Sequence, residues 1–189
     1  MLLKDKKYKE IISDINKLLN KICDDGRMKY HIIPVVKISI EMAEKLNADI
    51  EVVEIAAYLH DVTRILGDKD NHHKTGAKYA RDFLEKYEFD NKKIELIEKC
   101  IKNHRGSIKN NRETIEEKII STADAVSHIE YPLPLFYTWY GKRKATLEDG
   151  KIEIRNKLQR SWNKIEFEYK KDEIKEKYDY LMEVLSNDE

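Results

Sequence analysis

The sequence predicts an all-α fold, a single-domain helical bundle extended by additional C-terminal helices. Three observations predict it. Apolar residues recur at helical spacing along almost the whole chain, and no stretch alternates as a half-buried strand would. Only 6 Gly and 3 Pro occur in 189 residues, too few for a turn-rich β architecture. Charged residues reach 38% and hydrophobic residues 41%, the mix of long helices with solvated outer faces. At this length one good core is expected.

The elements follow in order. A first amphipathic helix is expected from about Tyr8 to Ile22, ending in the turn signal Asp24-Asp25-Gly26. A second is expected from near His31 to Leu46, with Val35, Val36, Met42, Ala43 and Leu46 inward. Pro34 is tolerated there because the first turn of a helix has unpaired N–H groups in any case. Asp49 caps a third helix carrying Ile50, Val53, Ala56, Ala57 and His60. After a polar loop over residues 67–71, Asp70 or Asn71 caps a fourth, marked by Ala77, Ala80, Phe83, Leu84 and Tyr87. Asn91 opens a fifth, with Ile94, Ile97, Cys100, Ile101 and His104 inward, and the loop RGSIKNNRE follows. Thr114 and Glu117 have the spacing of a capping box and start a sixth, on Ile115, Ile119, Thr122, Ala123, Val126 and Ile129. The stretch YPLPLFYTWYG, with two prolines and five aromatic residues, reads as a loop over residues 131–146. Two helices are then expected between Leu147 and Leu185, divided at KKDE, where Asp172 caps the second.

Thirty-six basic residues balance 36 acidic ones, so the basic footprint of a nucleic-acid binder is absent and no nucleic-acid partner is expected. Cys23 and Cys100 are too few for a disulfide framework, which fits a reducing, cytoplasmic setting. No apolar run approaches a membrane span, so no membrane partner is expected either.

The polar residues carry the functional signal. His31 opens one helix and His60-Asp61 closes the next; His72 opens the following helix and His104 closes the one after. In antiparallel hairpins, opening and closing ends lie side by side. Asp124 falls mid-helix on a mixed face beside Ile120, Ala123, Ser127 and His128, where an uncompensated carboxylate would be costly. A histidine at a helix end is by itself usually a cap or a dipole partner. Four imidazoles and two carboxylates converging on one end of a bundle point instead to a metal, with Mn, Fe, Ni, Zn and Co all suited to such donors.

The ordered set H…HD…H…H…D resembles the HD-domain superfamily of metal-dependent phosphohydrolases. The matching positions are His31, His60-Asp61 and the aspartate of TAD at Asp124. HHKTGA resembles the His-x-x-x-Gly-Ala element of binuclear members, which selects His72 over His73, and IKNHR resembles their next element and supplies His104. The resemblance spans about Arg27 to Glu130, making 27–130 an HD metal-binding core, 131–146 an aromatic loop and 147–189 C-terminal helices. It implies that His31, His60, Asp61 and Asp124 hold one divalent metal, and that His72 and His104 hold a second with Asp61 bridging. One or two ions per chain are implied, Fe or Mn before Ni, Co, Zn or Mg. The implied activity is hydrolysis of a phosphate ester or anhydride in a nucleotide or other small phosphorylated metabolite, through attack of a metal-bound hydroxide, with Asp61 and Arg64 as catalytic residues.

Arg64 lies one turn beyond His60, and its fork suits bidentate phosphate contact. Lys74, Arg105 and Arg143 are further candidates for substrate contact, and His73 and His128 for supporting the ligands. The aromatic stretch suits stacking on a base, and equally a hydrophobic plug or a homodimer contact. Two other readings stay open: an HD-type di-iron oxygenase, and a non-enzymatic helical interaction module whose metal is structural.

Overall fold

The computed structural model describes residues 2–105 and 111–186, and among these every regular element is helical. The order is α1 (Leu2–Ile22), a single turn α2 (Asp25–Arg27), a π-helical turn (Met28–Ile32), α3 (Ile33–Leu46), α4 (Ile50–Leu59) and the short α5 (Val62–Ile65). Then come α6 (His72–Leu84), α7 (Asn91–Asn103), α8 (Ile115–Glu130), α9 (Leu133–Phe136), a second π-helical turn (Tyr137–Lys142), α10 (Leu147–Lys164) and α11 (Glu168–Val184).

Helix α8 is the axis of the bundle. Every residue from Ile119 to Val126, and Ser127 after it, is buried. A helix covered on all sides must be surrounded, and α3, α4, α7, α10 and α11 all pack on it. Its start is the expected capping box: Thr114 accepts from the Glu117 N–H, and the Glu117 carboxylate accepts from the Thr114 N–H. Asp49 caps α4 by accepting from Val52.

Pro34 shapes the entry to α3. Lacking an N–H, and with a ring that crowds the carbonyl four residues back, it disfavours a regular turn over Tyr30. The backbone widens instead, and the Ile33 N–H reaches the Met28 carbonyl five residues back. His31 sits in this widened turn. At the far end of α4, Asp61 has φ −111° and ψ 10°, which breaks the helix between His60 and Val62. In an unbroken helix adjacent side chains diverge by about 100°. The break lets His60 and Asp61 face the same centre.

Several expectations need correction. Helix α1 begins at Leu2 rather than near Tyr8. Asn71 is the N-cap of α6, as one of the two expected positions, and its carbonyl accepts from Lys74 and Thr75, but its side chain makes no capping bond; the Asp68 carboxylate instead accepts from the Asn71 N–H and the Thr75 hydroxyl. Tyr87 lies in a short 3₁₀ turn after α6. The aromatic stretch is not a loop but α9 and the second π-helical turn, docked on α10 where Gly150 accepts the Tyr140 ring; a Cβ there would clash with that ring. The break before the last helix lies at residues 165–167, and Asp172 is inside α11. The displacement has a cause: Lys170 is 5% exposed and occupies an inward position, its ammonium bonded to Glu41 and Glu173. A buried lysine stem continues the helix where the sequence shows a gap in the apolar stripe. Part of the loop RGSIKNNRE, residues 106–110, lies outside the described residues.

Candidate metal centre

Five elements deliver the six residues to one place. His31 comes from the π-helical turn, His60 and Asp61 from the junction of α4 and α5, His72 from the first turn of α6, His104 from just beyond α7, and Asp124 from the middle of α8. Gly76 lets α6 approach closely, since a Cβ there would meet Thr63 Oγ1 at 3.3 Å and the Ile101 side chain at 3.4 Å.

Their hydrogen bonds set the ring tautomers. His60 Nδ1 donates to the Ala57 carbonyl (2.7 Å), His72 Nδ1 to Lys69 (3.1 Å) and His104 Nδ1 to Ile101 (2.6 Å), in each case three residues back. His31 is pinned differently. The Ser127 hydroxyl donates to the Asp124 carbonyl (2.8 Å), so its oxygen accepts from His31 Nδ1 (3.2 Å). All four rings therefore turn Nε2, the atom not committed to these bonds, toward the centre.

The donor atoms form two groups: His31, His60 and Asp124, and Asp61, His72 and His104, with the atoms of each group within 4.8 Å of one another. Asp61 spans them. Its Oδ1 lies 3.6 Å from His72 Nε2 and 3.8 Å from His104 Nε2, while its Oδ2 lies 3.7 Å from His31 Nε2. Asp124 Oδ1 lies 3.6 Å from His31 Nε2 and 3.9 Å from His60 Nε2.

One contact tests the fit to a metal. His31 Nε2 and His60 Nε2 are 3.2 Å apart. With both Nδ1 atoms committed as donors, the two facing Nε2 atoms need a positive centre between them, which a metal ion or a proton supplies. Imidazole nitrogens and carboxylate oxygens in this arrangement suit a divalent transition metal.

Charge supports the same fit. Burial drives the His104 pKa down to about 3. Burial also lowers His60 and His72, so these three rings are neutral and available as ligands at neutral pH. Burial opposes the charge on Asp61, yet the contact with His31 and the Arg64 guanidinium outweigh it and hold the carboxyl well below its usual range. Burial is likewise outweighed at Asp124, above all by the Lys164 ammonium. Both carboxylates are thus ionised.

The centre opens into a cavity of about 570 Å³. Arg64 lines it, half-exposed, with Nε 3.8 Å from Asp61 Oδ2. Arg105 also lines it and donates to the Asp70 carbonyl, and Arg143 lines it with its guanidinium 4.1 Å from the centre of the Trp139 ring. His128 stacks on His31 at 5.4 Å and approaches Asp124 Oδ1 to 3.9 Å. Lys74 is the exception. It is exposed and lines a separate shallow cleft between α6 and α7, because the turn that aims His72 inward aims Lys74 outward. His73 is buried edge-on against His72 and does not line the cavity.

Residues of α10 went unnoticed in the sequence. Lys164 Nζ donates to Asp124 Oδ2 at 2.5 Å, which leaves Oδ1 for the centre. Ser161 contacts His128 Nδ1, and Lys157 and Arg160 line the cavity. The signal was a polar stripe, Lys157, Ser161 and Lys164, at i, i+4 and i+7 beside the apolar Ile154, Leu158 and Ile165.

The HD domain family model matches residues 28–129, and the chain belongs to this family. Ribonuclease Y of Fusobacterium nucleatum is 26% identical over 122 residues, covering 64% of this chain and 22% of that protein. The tRNA (cytidine(56)-2'-O)-methyltransferase of Thermoplasma volcanium is 30% identical over 158 residues, covering 77% of this chain and 46% of that protein. The chain thus spans less than half the length of either curated relative. Among solved structures, an HD-superfamily hydrolase from Bacillus thuringiensis superposes with a TM-score of 0.70 at 18% identity, covering 96% of this chain and 94% of that one. That likeness shows the fold.

Proposed function

We propose that this chain is a metal-dependent phosphohydrolase acting on a nucleotide or another small phosphorylated metabolite. The observation that carries the reading is the set of four imidazole Nε2 atoms gathered about Asp61 and Asp124, with the two oxygens of Asp61 facing different donor groups. His31, His60 and Asp124 would hold one divalent ion, and His72 and His104 a second, with Asp61 shared. Such an ion, when bound, lowers the pKa of its water so that hydroxide is available at neutral pH.

The chain's own residues do the rest. The Nδ1 bonds fix each ring so that little reorganisation is needed on metal binding. Arg64 stands beside Asp61 and supplies a guanidinium for phosphoryl oxygens. Tyr30, Tyr137 and Trp139 line the cavity and offer aromatic faces to a base, with Arg143 held over Trp139. The cavity volume lies in the range of small-molecule sites.

The test is elemental analysis of the purified chain beside turnover of a panel of nucleotides, sugar phosphates and an oligoribonucleotide. Two ions per chain, with release of phosphate or pyrophosphate from a small substrate, is the expected outcome. Oxygen consumption with iron and no phosphate release would replace the hydrolase with an oxygenase. Cleavage of the oligoribonucleotide alone would move the substrate toward that of ribonuclease Y.

A further inference from the structure

The cavity is far more cationic than the chain as a whole. Lysines and arginines balance aspartates and glutamates overall, yet seven lysines and arginines line this cavity against three carboxylates. Two of those three, Asp61 and Asp124, belong to the candidate metal centre.

Most of the cations are already committed. Arg64 lies against Asp61, Arg105 donates to the Asp70 carbonyl, Arg143 lies over Trp139 and Lys142 over Tyr137. Lys164, behind the centre, is bonded to Asp124. Lys157 differs. It lines the cavity from α10, one turn before Ser161, and among the described residues it has no hydrogen bond or ion pair. It shares the cavity with Asp61 and Asp124, and Ser161, one turn on, contacts His128, which lies 3.9 Å from Asp124 Oδ1. Burial lowers its pKa to about 8. Lys157 is half-buried, and a partly desolvated ammonium without a counter-ion costs folding free energy; such groups concentrate at functional sites.

We propose that Lys157 binds the substrate's phosphoryl oxygens directly, as an anion-binding residue contributed by α10 from outside the segment that matches the HD family. The ammonium has donors to spare and faces a site where negative charge must be held. Arg160, three residues on, is exposed and also lines the cavity, adding to the same cationic edge. This role rests on the proposed phosphohydrolase reading, and its test does not require turnover.

The probe is inorganic phosphate, titrated calorimetrically into the full chain after metal loading. Wild type, Lys157→Met and Lys157→Arg are compared, with metal content and Tm measured for each. A charge-assisted hydrogen bond predicts that Lys157→Met weakens phosphate binding about tenfold or more, with metal content unchanged. Lys157→Arg should restore most of the affinity. If the methionine variant fails to fold, Lys157→Gln takes its place. Equal phosphate affinity in wild type and the uncharged variant would overturn the proposal, as would a wild-type chain that binds no phosphate. If phosphate binding depends on Lys157 but no phosphate ester is turned over, the anion site stands and the hydrolase reading falls. If turnover is observed, the uncharged variant should raise KM more than it lowers kcat, a split that a merely structural lysine would not produce.

Discussion

At the level of single residues, the candidate centre is built by hydrogen bonds that leave nothing for the rings to decide. His60, His72 and His104 each spend Nδ1 on the carbonyl three residues back, an acceptor the local chain supplies without help from elsewhere. His31 depends instead on Ser127, across the bundle. His72→Ala should therefore lower the metal content from two ions to about one with helicity unchanged, read by elemental analysis. Asp124 is different, because it is buried and bonded to Lys164 before any metal arrives. Removing one partner of a buried pair leaves the other charge uncompensated, at a cost of about 3 kcal/mol. Lys164→Met should thus depress the Tm of the metal-free protein strongly. Metal restores a positive charge beside Asp124, so the rise in Tm on adding metal should be larger in the variant than in wild type. An equal rise in both would show that Lys164 does not stand in for the metal's charge.

At the level of elements, ligand positions are set by how helices begin and end. The π-helical turn before Pro34 sets the angle at which His31 enters. Pro34→Ala restores the missing N–H and permits a regular turn. Its expected effect is weaker metal binding with little change in Tm, measured by competition with a chelator and by thermal melting. The capping box of α8 reaches further than its own helix, since the Glu117 carboxylate also accepts from Asn103, the residue before His104. Thr114→Ala should cost about 1 kcal/mol of stability in a denaturant titration, the usual loss for an N-cap. Helix α10 is held by the aromatic segment through Gly150, so bulk at that position separates the two elements that line the cavity.

Across the whole molecule, a neutral chain concentrates cations around one cavity, and Lys157 makes that concentration measurable. Its folded pKa of about 8 lies below the unfolded value of about 10.4. Between those values the unfolded chain binds more protons, so this group makes stability rise with pH across that window. Below pH 8 the charged lysine is a burden in the metal-free fold. Lys157→Met should therefore be the more stable protein at pH 7, with the difference closing as pH rises toward 10, in melts of the two proteins side by side. A variant less stable than wild type at pH 7 would mean that the ammonium is paired in solution.

Much of this was legible in the sequence because it is local. Helical periodicity, the caps at Asp49 and Thr114, and the order of His31, His60-Asp61, His72, His104 and Asp124 all depend on neighbours within a turn or two. The sequence therefore determined the all-α class and the six residues on which a metal centre would rest. It misplaced the last helix boundary because Lys170 is buried by Glu41, a residue 129 positions away. It placed Lys74 at the site because spacing alone does not say which side of α6 faces inward. It left the polar side chains of α10 out of the site. Only the tertiary structure decided that Lys157 lines the cavity while Ser161 and Lys164 contact His128 and Asp124, that Ser127 sets the tautomer of His31, and that the two oxygens of Asp61 face different donor groups. The physical reason is the same in each case: a hydrogen bond or ion pair between distant positions exists only once α8 is buried and the helices around it have closed.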